Sequence, residues 1–117
     1  MILYVYSKCS TCKDALSYLE RKKIVVKRKE ITDTPPSIAE LKRMLGFLNG
    51  NIKKLFNTSG MLYRELGMSE KLTNMSEKEA LTLLSQNGML VKRPFLIADD
   101  IGLVGFKEIE WDRVFTS

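Results

Sequence analysis

Hydrophobic and polar residues along the first part of the chain follow a strand pattern, then a helix pattern, then a strand pattern again. The segment ILYVY at 2–6 is rich in β-branched and aromatic residues and predicts a strand that ends in a polar turn. After the turn, apolar residues recur at the spacing of one helix face, at Cys12, Ala15, Leu16 and Leu19. The segment IVVKRKEI at 24–31 predicts a second strand. A β-α-β unit therefore opens the chain.

The middle of the chain, from 37 to 89, predicts helices and no strand. Two Ser-x-x-Glu capping boxes, at 37–40 and 76–79, mark helix starts, and these helices are expected to end near residues 48 and 87. Two shorter helices are predicted between them, one from the apolar positions of 52–56 and one from the segment GMLYRELG at 60–67.

The end of the chain returns to strand patterns. The segment FLIADDIGLVGF at 95–106 predicts a hairpin that turns at its Asp pair, and KEIEWDRVF at 107–115 predicts a terminal helix. Strands at both ends of the sequence must pair to bury their apolar residues. The expected α/β architecture is thus one small, four-stranded mixed sheet with helices packed on it and an all-helical insertion at about 37–89.

The only cysteines, Cys9 and Cys12, lie in KCSTC, where the first strand passes into the first helix. A thiolate attacks disulfides, and a helix start stabilises a thiolate through its unpaired N–H groups and its dipole. Cys9 is nearest that start and is flanked by positive charge at Lys8 and Lys13, so we interpret it as a nucleophile. Cys12, about one helical turn later, is placed to resolve a mixed disulfide on Cys9. A C-x-x-C after the first strand, in this order of elements, is the plan of a thioredoxin or glutaredoxin fold.

Two other interpretations of the cysteines are open. A C-x-x-C is also half of a structural zinc site, but such a site needs four Cys or His ligands, and the chain has 2 cysteines and no histidine. We therefore expect no metal. Both cysteines could instead be small buried residues, which suits Cys12 on the apolar helix face better than Cys9 in its polar turn.

Composition and charge limit the class of protein. The 117 residues are 44% hydrophobic and 28% charged, which fits a single globular domain (1–117) built from 1–36 and 90–117 around the insertion. No segment is apolar enough for a membrane span or a signal peptide, so we expect a cytoplasmic protein without a membrane partner. The net charge of +5 lies in residues 1–30, with eight Lys/Arg against three Asp/Glu. Aromatic residues are not interleaved with these charges, so direct nucleic-acid binding is not expected.

A second candidate site residue is Arg93, in the segment VKRPFLIADD. Its guanidinium, if near Cys9, would stabilise a thiolate or hold an oxyanion with two hydrogen bonds. The residues alone equally allow a surface arginine, and for the bond to Pro94 they favour the trans form that most X–Pro bonds adopt.

Four motifs together resemble one family, that of the arsenate reductases (ArsC) and Spx. They are KCSTC, FNTSGMLYRELG at 56–67, NGMLVKRPFLI at 87–97 and VGFKE at 104–108, in the order and spacing of that family. The resemblance spans nearly the whole chain and is closest to an ArsC-like, Spx/MgsR-like branch with a C-x-x-C. It implies a thioredoxin-like fold with an all-helical insertion.

The resemblance also implies roles for particular residues. Cys9 matches the family nucleophile, which in arsenate reductases attacks arsenate and passes through a glutathione or glutaredoxin intermediate. Arg93 and Pro94 match a pair in which the proline is cis and the arginine faces the cysteine. Arg64 stands near the position of an anion-binding arginine. No bound cofactor is implied, while glutathione or a thioredoxin is the expected reductant.

Three positions depart from the pattern of the glutaredoxin-linked arsenate reductases. Cys12 and Lys13 stand where those enzymes usually have another residue and then an arginine, and Lys107 approximately replaces a third arginine. We therefore expect first a cytoplasmic thiol–disulfide oxidoreductase acting on a thiol, a disulfide or glutathione, with Lys13, Arg64 and Lys107 adding positive charge. A redox-sensing regulator that binds the RNA polymerase α subunit, as Spx does, is the second hypothesis, and an arsenate reductase is the third.

Overall fold

A four-stranded mixed sheet forms the centre of the computed structural model, which describes residues 1–115. Its strands are β1 (Ile2–Val5), β2 (Lys27–Glu30), β3 (Phe95–Ile97) and β4 (Gly102–Val104), in the order β2-β1-β3-β4. β1 runs parallel to β2 and antiparallel to β3, and β3 runs antiparallel to β4. The mixed sheet of four strands predicted from the sequence is confirmed.

Helices cover both faces of this sheet. The helices are α1 (Ser10–Arg21), α2 (Ile38–Phe47), α3 (Met61–Glu65), α4 (Met68–Lys71), α5 (Glu77–Gln86) and α6 (Glu108–Phe115), with short 3-10 turns at Ile52–Leu55, Leu72–Asn74 and Gly88–Leu90. Because side chains alternate along a strand, Leu3 and Leu96 pack with α1 and α6, whereas Tyr4 and Phe95 pack with α2, α5 and the elements between them. No helix within residues 1–115 has the length and apolar character that crossing a membrane requires.

The capping boxes and the hairpin appear where the sequence placed them. Ser37 and Ser76 each accept a hydrogen bond from the backbone of the glutamate three residues later, whose side chain accepts from the serine N–H in return. The hairpin turns at 99–100, closed by an Ala98 N–H to Ile101 C=O hydrogen bond of 2.9 Å. Between β2 and β3 the described chain contains helices and 3-10 turns but no strand of the sheet.

Two expectations from the sequence need correction. The second strand is shorter than 24–31, because β1 begins at Ile2 and pairs that residue with Lys27, so the preceding residues have no strand to pair with. Val25 is 89% exposed as a result. On α1, Tyr18 rather than Leu16 is among the fully buried residues, and its hydroxyl donates to Asp112 of α6 at 2.6 Å.

Two further hydrogen bonds tie the layers to the sheet. The Tyr4 hydroxyl on β1 donates to the Glu40 carboxylate on α2 at 2.7 Å. The indole N–H of Trp111, on α6, donates to the carbonyl of Gly105 just beyond β4 at 3.1 Å. Helices on opposite faces are therefore anchored near the carboxyl ends of β1 and β4, the side on which the cysteines lie.

Candidate active site

A tight turn after β1 places Cys9 at the start of α1. The Cys9 N–H donates to the Tyr6 carbonyl at 3.0 Å, and the Ser7 N–H is held by the Glu30 carboxylate at 3.0 Å. Cys9 has an extended backbone and is the N-cap residue of α1. Its sulfur accepts a hydrogen bond from the Cys12 N–H at 3.2 Å, so the thiol itself caps one of the unpaired amides of the helix.

The two cysteines have different surroundings. Cys9 is partly exposed, whereas Cys12 is 1% exposed and packs against the sheet beside Leu3 and Val5. Both are free thiols. Burial raises the pKa of the Cys12 thiol to about 12, reinforced by its hydrogen bond to Cys9. Cys12 therefore keeps its proton at neutral pH and can donate it toward the neighbouring sulfur.

The pKa of Cys9 moves in the opposite direction. Partial burial works against ionisation, but the thiol and the N–H of Cys12, together with the charge and N–H groups of Arg93, outweigh it and lower the pKa of the Cys9 thiol. The structure thus separates the pair into one thiol that ionises easily and one that does not.

Arg93 interacts with Cys9 and lies over the aromatic ring of Tyr6. Its guanidinium carbon is 4.9 Å from the centroid of the Tyr6 ring, a distance at which a cation and a ring face attract each other. The Nε and Nη1 atoms of Arg93 are buried and have no hydrogen-bond partner within residues 1–115. Such donors are costly to leave unpaired, so they fit an anionic or oxygen-bearing group that comes from outside the chain.

The bond between Arg93 and Pro94 is cis. From the residues alone the trans form was expected, and the resemblance to the family implied the cis form. The sequence contains no local signal that decides between the two. Pro94 is buried, and its carbonyl accepts a hydrogen bond from the Gly105 N–H at 2.8 Å, which ties it to the end of β4.

Cys9 and Arg93 open onto a cleft of about 1040 Å³. Its walls come from the end of α2 and the chain after it, from the segment FNTSG at 56–60, from 92–93, and from β4 with the residues that follow it. The cationic side chains on the walls are Lys53, Lys54, Lys92, Arg93 and Lys107, against the single carboxylate of Glu110. The cleft therefore favours anionic molecules.

The predicted site residues divide into two groups. Lys107 lines the cleft together with Cys9 and Arg93. Lys13 and Arg64 are exposed side chains that do not line it. Lys13 follows Cys12 on α1, and Arg64 belongs to the short helix α3. Their predicted role in anion binding at this site is not supported by where the fold places them.

Sequence reasoning missed one residue that supports the site and several that line the cleft. Tyr6 was assigned only to a strand, although its ring supports Arg93. Lys53 and Lys54 lie in a 3-10 turn, and their position on the wall depends on how the helical segment folds back over β4. Such a distant contact has no periodic signal in the sequence. The segment FNTSG was noticed as a motif, and its residues Asn57 and Gly60 do line the cleft.

The described residues contain no group of three or more His, Cys, Asp or Glu side chains arranged to hold a metal ion. The site combines three groups: a nucleophilic thiolate at Cys9, a protonated thiol one helical turn away at Cys12, and the guanidinium of Arg93, which faces the cleft. This combination suits thiol–disulfide exchange or attack on an oxyanion.

Comparison with known proteins agrees with this arrangement. The curated relatives include the uncharacterized protein YusI of Bacillus subtilis, 44% identical over 97% of this chain and 96% of that protein. They also include the global transcriptional regulator Spx of Enterococcus faecalis, 28% identical over 97% of this chain and 84% of that protein.

Solved structures lead to the same group of proteins. An ArsC family related protein from Bacteroides fragilis superposes with a TM-score of 0.88 at 41% identity, over 97% of both chains. A structure described as a possible arsenate reductase from Streptococcus mutans gives 0.86 at 35% identity, over 95% of this chain and 96% of that one. The profile of the ArsC family matches residues 4–114. The chain belongs to the ArsC family.

Proposed function

We propose that the protein is a thiol–disulfide oxidoreductase of the reducing cytoplasm, with Cys9 as nucleophile and Cys12 as resolving thiol. The observation that carries this proposal is the hydrogen-bonded pair itself. The Cys9 sulfur lies at the N-cap of α1 beside Arg93, and the pKa of its thiol is lowered. The buried Cys12 thiol lies next to it, and its pKa is raised.

The reaction has two balanced steps. The Cys9 thiolate attacks one sulfur of a substrate disulfide, so a mixed disulfide forms on Cys9 and the other substrate sulfur leaves as a thiolate. Cys12 then loses its proton and attacks the Cys9 sulfur, which releases the second substrate thiolate and leaves a Cys9–Cys12 disulfide. The substrate is reduced by two electrons and the protein is oxidised by two. Glutathione or a thioredoxin-type dithiol would return the protein to its reduced form.

The split between the two pKa values supports this order of events. At neutral pH a nucleophile must be ionised, and a lowered pKa provides that at Cys9. A resolving thiol that stays protonated and buried does not compete for the substrate. It becomes reactive when Cys9 is in a mixed disulfide, because the negative charge that Cys9 held beside it is then gone.

Trapping a mixed disulfide tests the assignment. We expect Cys12→Ser to accumulate a stable adduct with oxidised glutathione at Cys9, seen as a mass increase of one glutathione, and Cys9→Ser to form none. The matched control is the double variant Cys9→Ser/Cys12→Ser. Equal adducts on both single variants, or none on either, would refute the assignment. The same Cys12→Ser variant in cell extract would identify the natural partner.

Arsenate reduction is a second candidate, favoured by the unpaired nitrogens of Arg93. The Cys9 thiolate would attack arsenate and release water, and Cys12 would then attack the Cys9 sulfur, releasing arsenite and leaving the disulfide. We expect arsenate to be at best a poor substrate, since Lys107 supplies a point charge and no bidentate fork. Arsenite formation at a rate matching disulfide reduction, measured with the same reductant, would favour this candidate instead.

A regulatory role is the third candidate, favoured by relatives named global transcriptional regulator Spx. In that case the Cys9–Cys12 pair would switch a surface that binds the α subunit of RNA polymerase. Affinity capture with the reduced and the oxidised protein distinguishes the two classes. Recovery of polymerase subunits in only one redox state would support the regulator, and recovery of thioredoxin or glutathione adducts would support the enzyme.

A further inference from the structure

Strand β4 is an edge of the sheet. The Gly105 N–H donates to the Pro94 carbonyl at 2.8 Å, which makes these two a hydrogen-bonded pair. Such pairs alternate with non-bonded pairs in an antiparallel ladder, so the N–H and C=O groups of Val104 and Gly102 point away from β3. Within residues 1–115 no strand lies on that side of β4.

The free edge of β4 faces the cleft. Every residue from 102 to 107 lines it, without a gap. A strand whose face formed the wall would contribute every second residue, because side chains alternate between the two faces. All three residues of β4, Gly102 to Val104, line the cleft without alternation, and the chain after the strand continues the wall through 105–107, which indicates that β4 borders the cleft along its edge.

The side chains around this edge are basic. Lys53 and Lys54 line the cleft from the 3-10 turn, and Lys92, before β3, and Lys107, after β4, line it at the open end of the hairpin. Glu110 is the single carboxylate on the walls. Apolar side chains of the same walls, Phe47, Leu48, Leu103 and Phe106, provide contacts for uncharged positions of a ligand.

We propose that the edge of β4 binds an extended, acidic segment of a partner protein as a fifth strand, and so delivers a cysteine of that segment to Cys9. This inference rests on the proposed thiol–disulfide exchange and names its substrate class. Strand addition supplies affinity through main-chain hydrogen bonds, and the lysines select acidic side chains.

The sheet order allows the segment to reach Cys9. β4 is antiparallel to β3, which is antiparallel to β1, so β4 and β1 run in the same direction. Cys9 follows β1 and Gly105 follows β4, so both lie at the same end of the sheet. The added strand would lie beyond β4, so three strand spacings of roughly 4.8 Å separate it from β1, a distance that about four to five extended residues cover.

The covalent step is the one already written for Cys9. The partner cysteine is part of a disulfide, its sulfur forms a bond to Cys9, and its former bonding partner leaves as a thiolate. Cys12 then releases the bound segment with a free thiol. The role of the β4 edge is to raise the local concentration of one class of disulfide without changing the chemistry.

Synthetic peptides test the proposal without altering the sheet. Each ten-residue peptide carries one cysteine as a mixed disulfide with 2-thiopyridine. One peptide alternates Glu with Val, a second has Lys in place of Glu, and two acidic versions are N-methylated at every second amide, in one register or the other. The hydroxyethyl mixed disulfide of 2-thiopyridine is the small neutral probe. Release of pyridine-2-thione is followed with Cys12→Ser, so that each event is one attack by Cys9.

We expect the acidic peptide to react about tenfold faster than the basic one at low ionic strength, and the difference to shrink as salt is added. One of the two N-methylated acidic peptides should lose its rate advantage over the basic peptide, and the other should keep it, because only alternate amides of an added strand face β4. Equal rates for the acidic and basic peptides, or indifference to both methylation patterns, would overturn the proposal. If the neutral probe is not attacked either, the proposed function itself fails, which separates the two ideas.

Charge reversal in the protein provides a second, independent measurement. In the Cys12→Ser background, Lys53→Glu/Lys54→Glu should lower the ratio of the acidic-peptide rate to the neutral-probe rate by about tenfold. The matched control, Lys71→Glu/Lys78→Glu, makes the same change in net charge at exposed positions that do not line the cleft, and should leave the ratio unchanged. A similar fall in both double variants would mean that net charge alone acts, and would contradict the docking site.

Discussion

Two thiols three positions apart have opposite surroundings in this protein. Cys9 stands in the turn after β1, partly open to a basic cleft, and its sulfur accepts a backbone N–H and faces Arg93. Cys12 stands in the first turn of α1, 1% exposed, among the apolar side chains of β1 and α6. The same chemical group therefore has a lowered pKa in one place and a pKa raised to about 12 in the other.

The comparison shows how the start of one helix can give two cysteines different chemical properties. A helix start offers unpaired N–H groups at its first residues, and one turn later the helix offers a buried face. A residue at each of these positions meets a different dielectric and different hydrogen bonds. The asymmetry arises from the backbone geometry of α1, and Arg93 from a distant part of the chain strengthens it.

Removing each sulfur in turn gives the largest expected effect. We expect Cys9→Ser to lose disulfide reduction by at least about 1000-fold, because no ionisable nucleophile remains. Cys12→Ser should lose turnover to a similar degree yet keep the rate of the first attack within about threefold of the wild type. Steady-state and single-turnover kinetics with a chromogenic disulfide measure the two quantities. Loss of the first attack in Cys12→Ser would contradict the division of roles.

Removing the cation should reduce the difference between the thiols. We expect Arg93→Gln to slow alkylation of Cys9 at pH 7 by about tenfold, since a hydrogen bond to a charged group is worth about 1.5–3 kcal/mol. The lowered pKa of Cys9 means that its alkylation rate levels off at a lower pH than that of a free cysteine, and the variant moves this inflection upward. Iodoacetamide kinetics from pH 5 to 10 measure it.

Arg93→Lys is the matched control for that prediction. It keeps the positive charge and removes the planar guanidinium, so we expect an inflection between those of the wild type and Arg93→Gln. An unchanged inflection in Arg93→Gln would mean that the helix start alone lowers the pKa of Cys9.

The two serine variants should also differ in stability. Serine is a favoured N-cap residue, so Cys9→Ser is expected to keep the free energy of unfolding within about 0.5 kcal/mol of the reduced wild type. Cys12→Ser places a hydroxyl in an apolar site and is expected to lower it by about 1–3 kcal/mol. Urea unfolding of the reduced proteins at pH 6 measures both, and equal losses would show that the two sites are not so different.

The smallest expected effect concerns the ring beneath Arg93. A cation–π contact is worth about 0.5–1 kcal/mol at an exposed site, so Tyr6→Leu should slow Cys9 alkylation at pH 7 by about two- to fivefold. Tyr6→Phe keeps the ring and is the control, with a rate close to the wild type. A shift of the pH inflection should accompany the loss in Tyr6→Leu, since Arg93 is then held less firmly. An effect of equal size in Tyr6→Phe would implicate the hydroxyl instead.

Local sequence signals predicted much of the fold and half of the site. The capping boxes, the hairpin and the alternation of strand residues are local, and they gave the elements of the sheet and the helices that cover it. Cys9 and Cys12 were found for the same reason, because their spacing lies within one helical turn. The start of β2 was misjudged, since it depends on where β1 begins.

The remaining half of the site depends on distant contacts. Lys53 and Lys54 reach the cleft because the segment after α2 folds back toward β4, and nothing in their immediate sequence indicates this. Conversely, Arg64 and Lys13 have the right chemistry and stand on surfaces that do not line the cleft. Arg93 was a candidate from its own segment, and the family resemblance implied that it faces Cys9, but only the structure shows its ring partner and its unpaired nitrogens.

The single tryptophan gives the protein an internal optical reporter. Trp111 belongs to the same buried cluster as Cys12, and its indole N–H is hydrogen-bonded to Gly105 at the end of the cleft wall. Disulfides accept electrons from an excited indole, so closing the Cys9–Cys12 bond should dim the fluorescence of Trp111, and reduction should restore it. Redox titrations, stopped-flow turnover and peptide docking can then be followed on the unlabelled protein, with light emitted from a single known position.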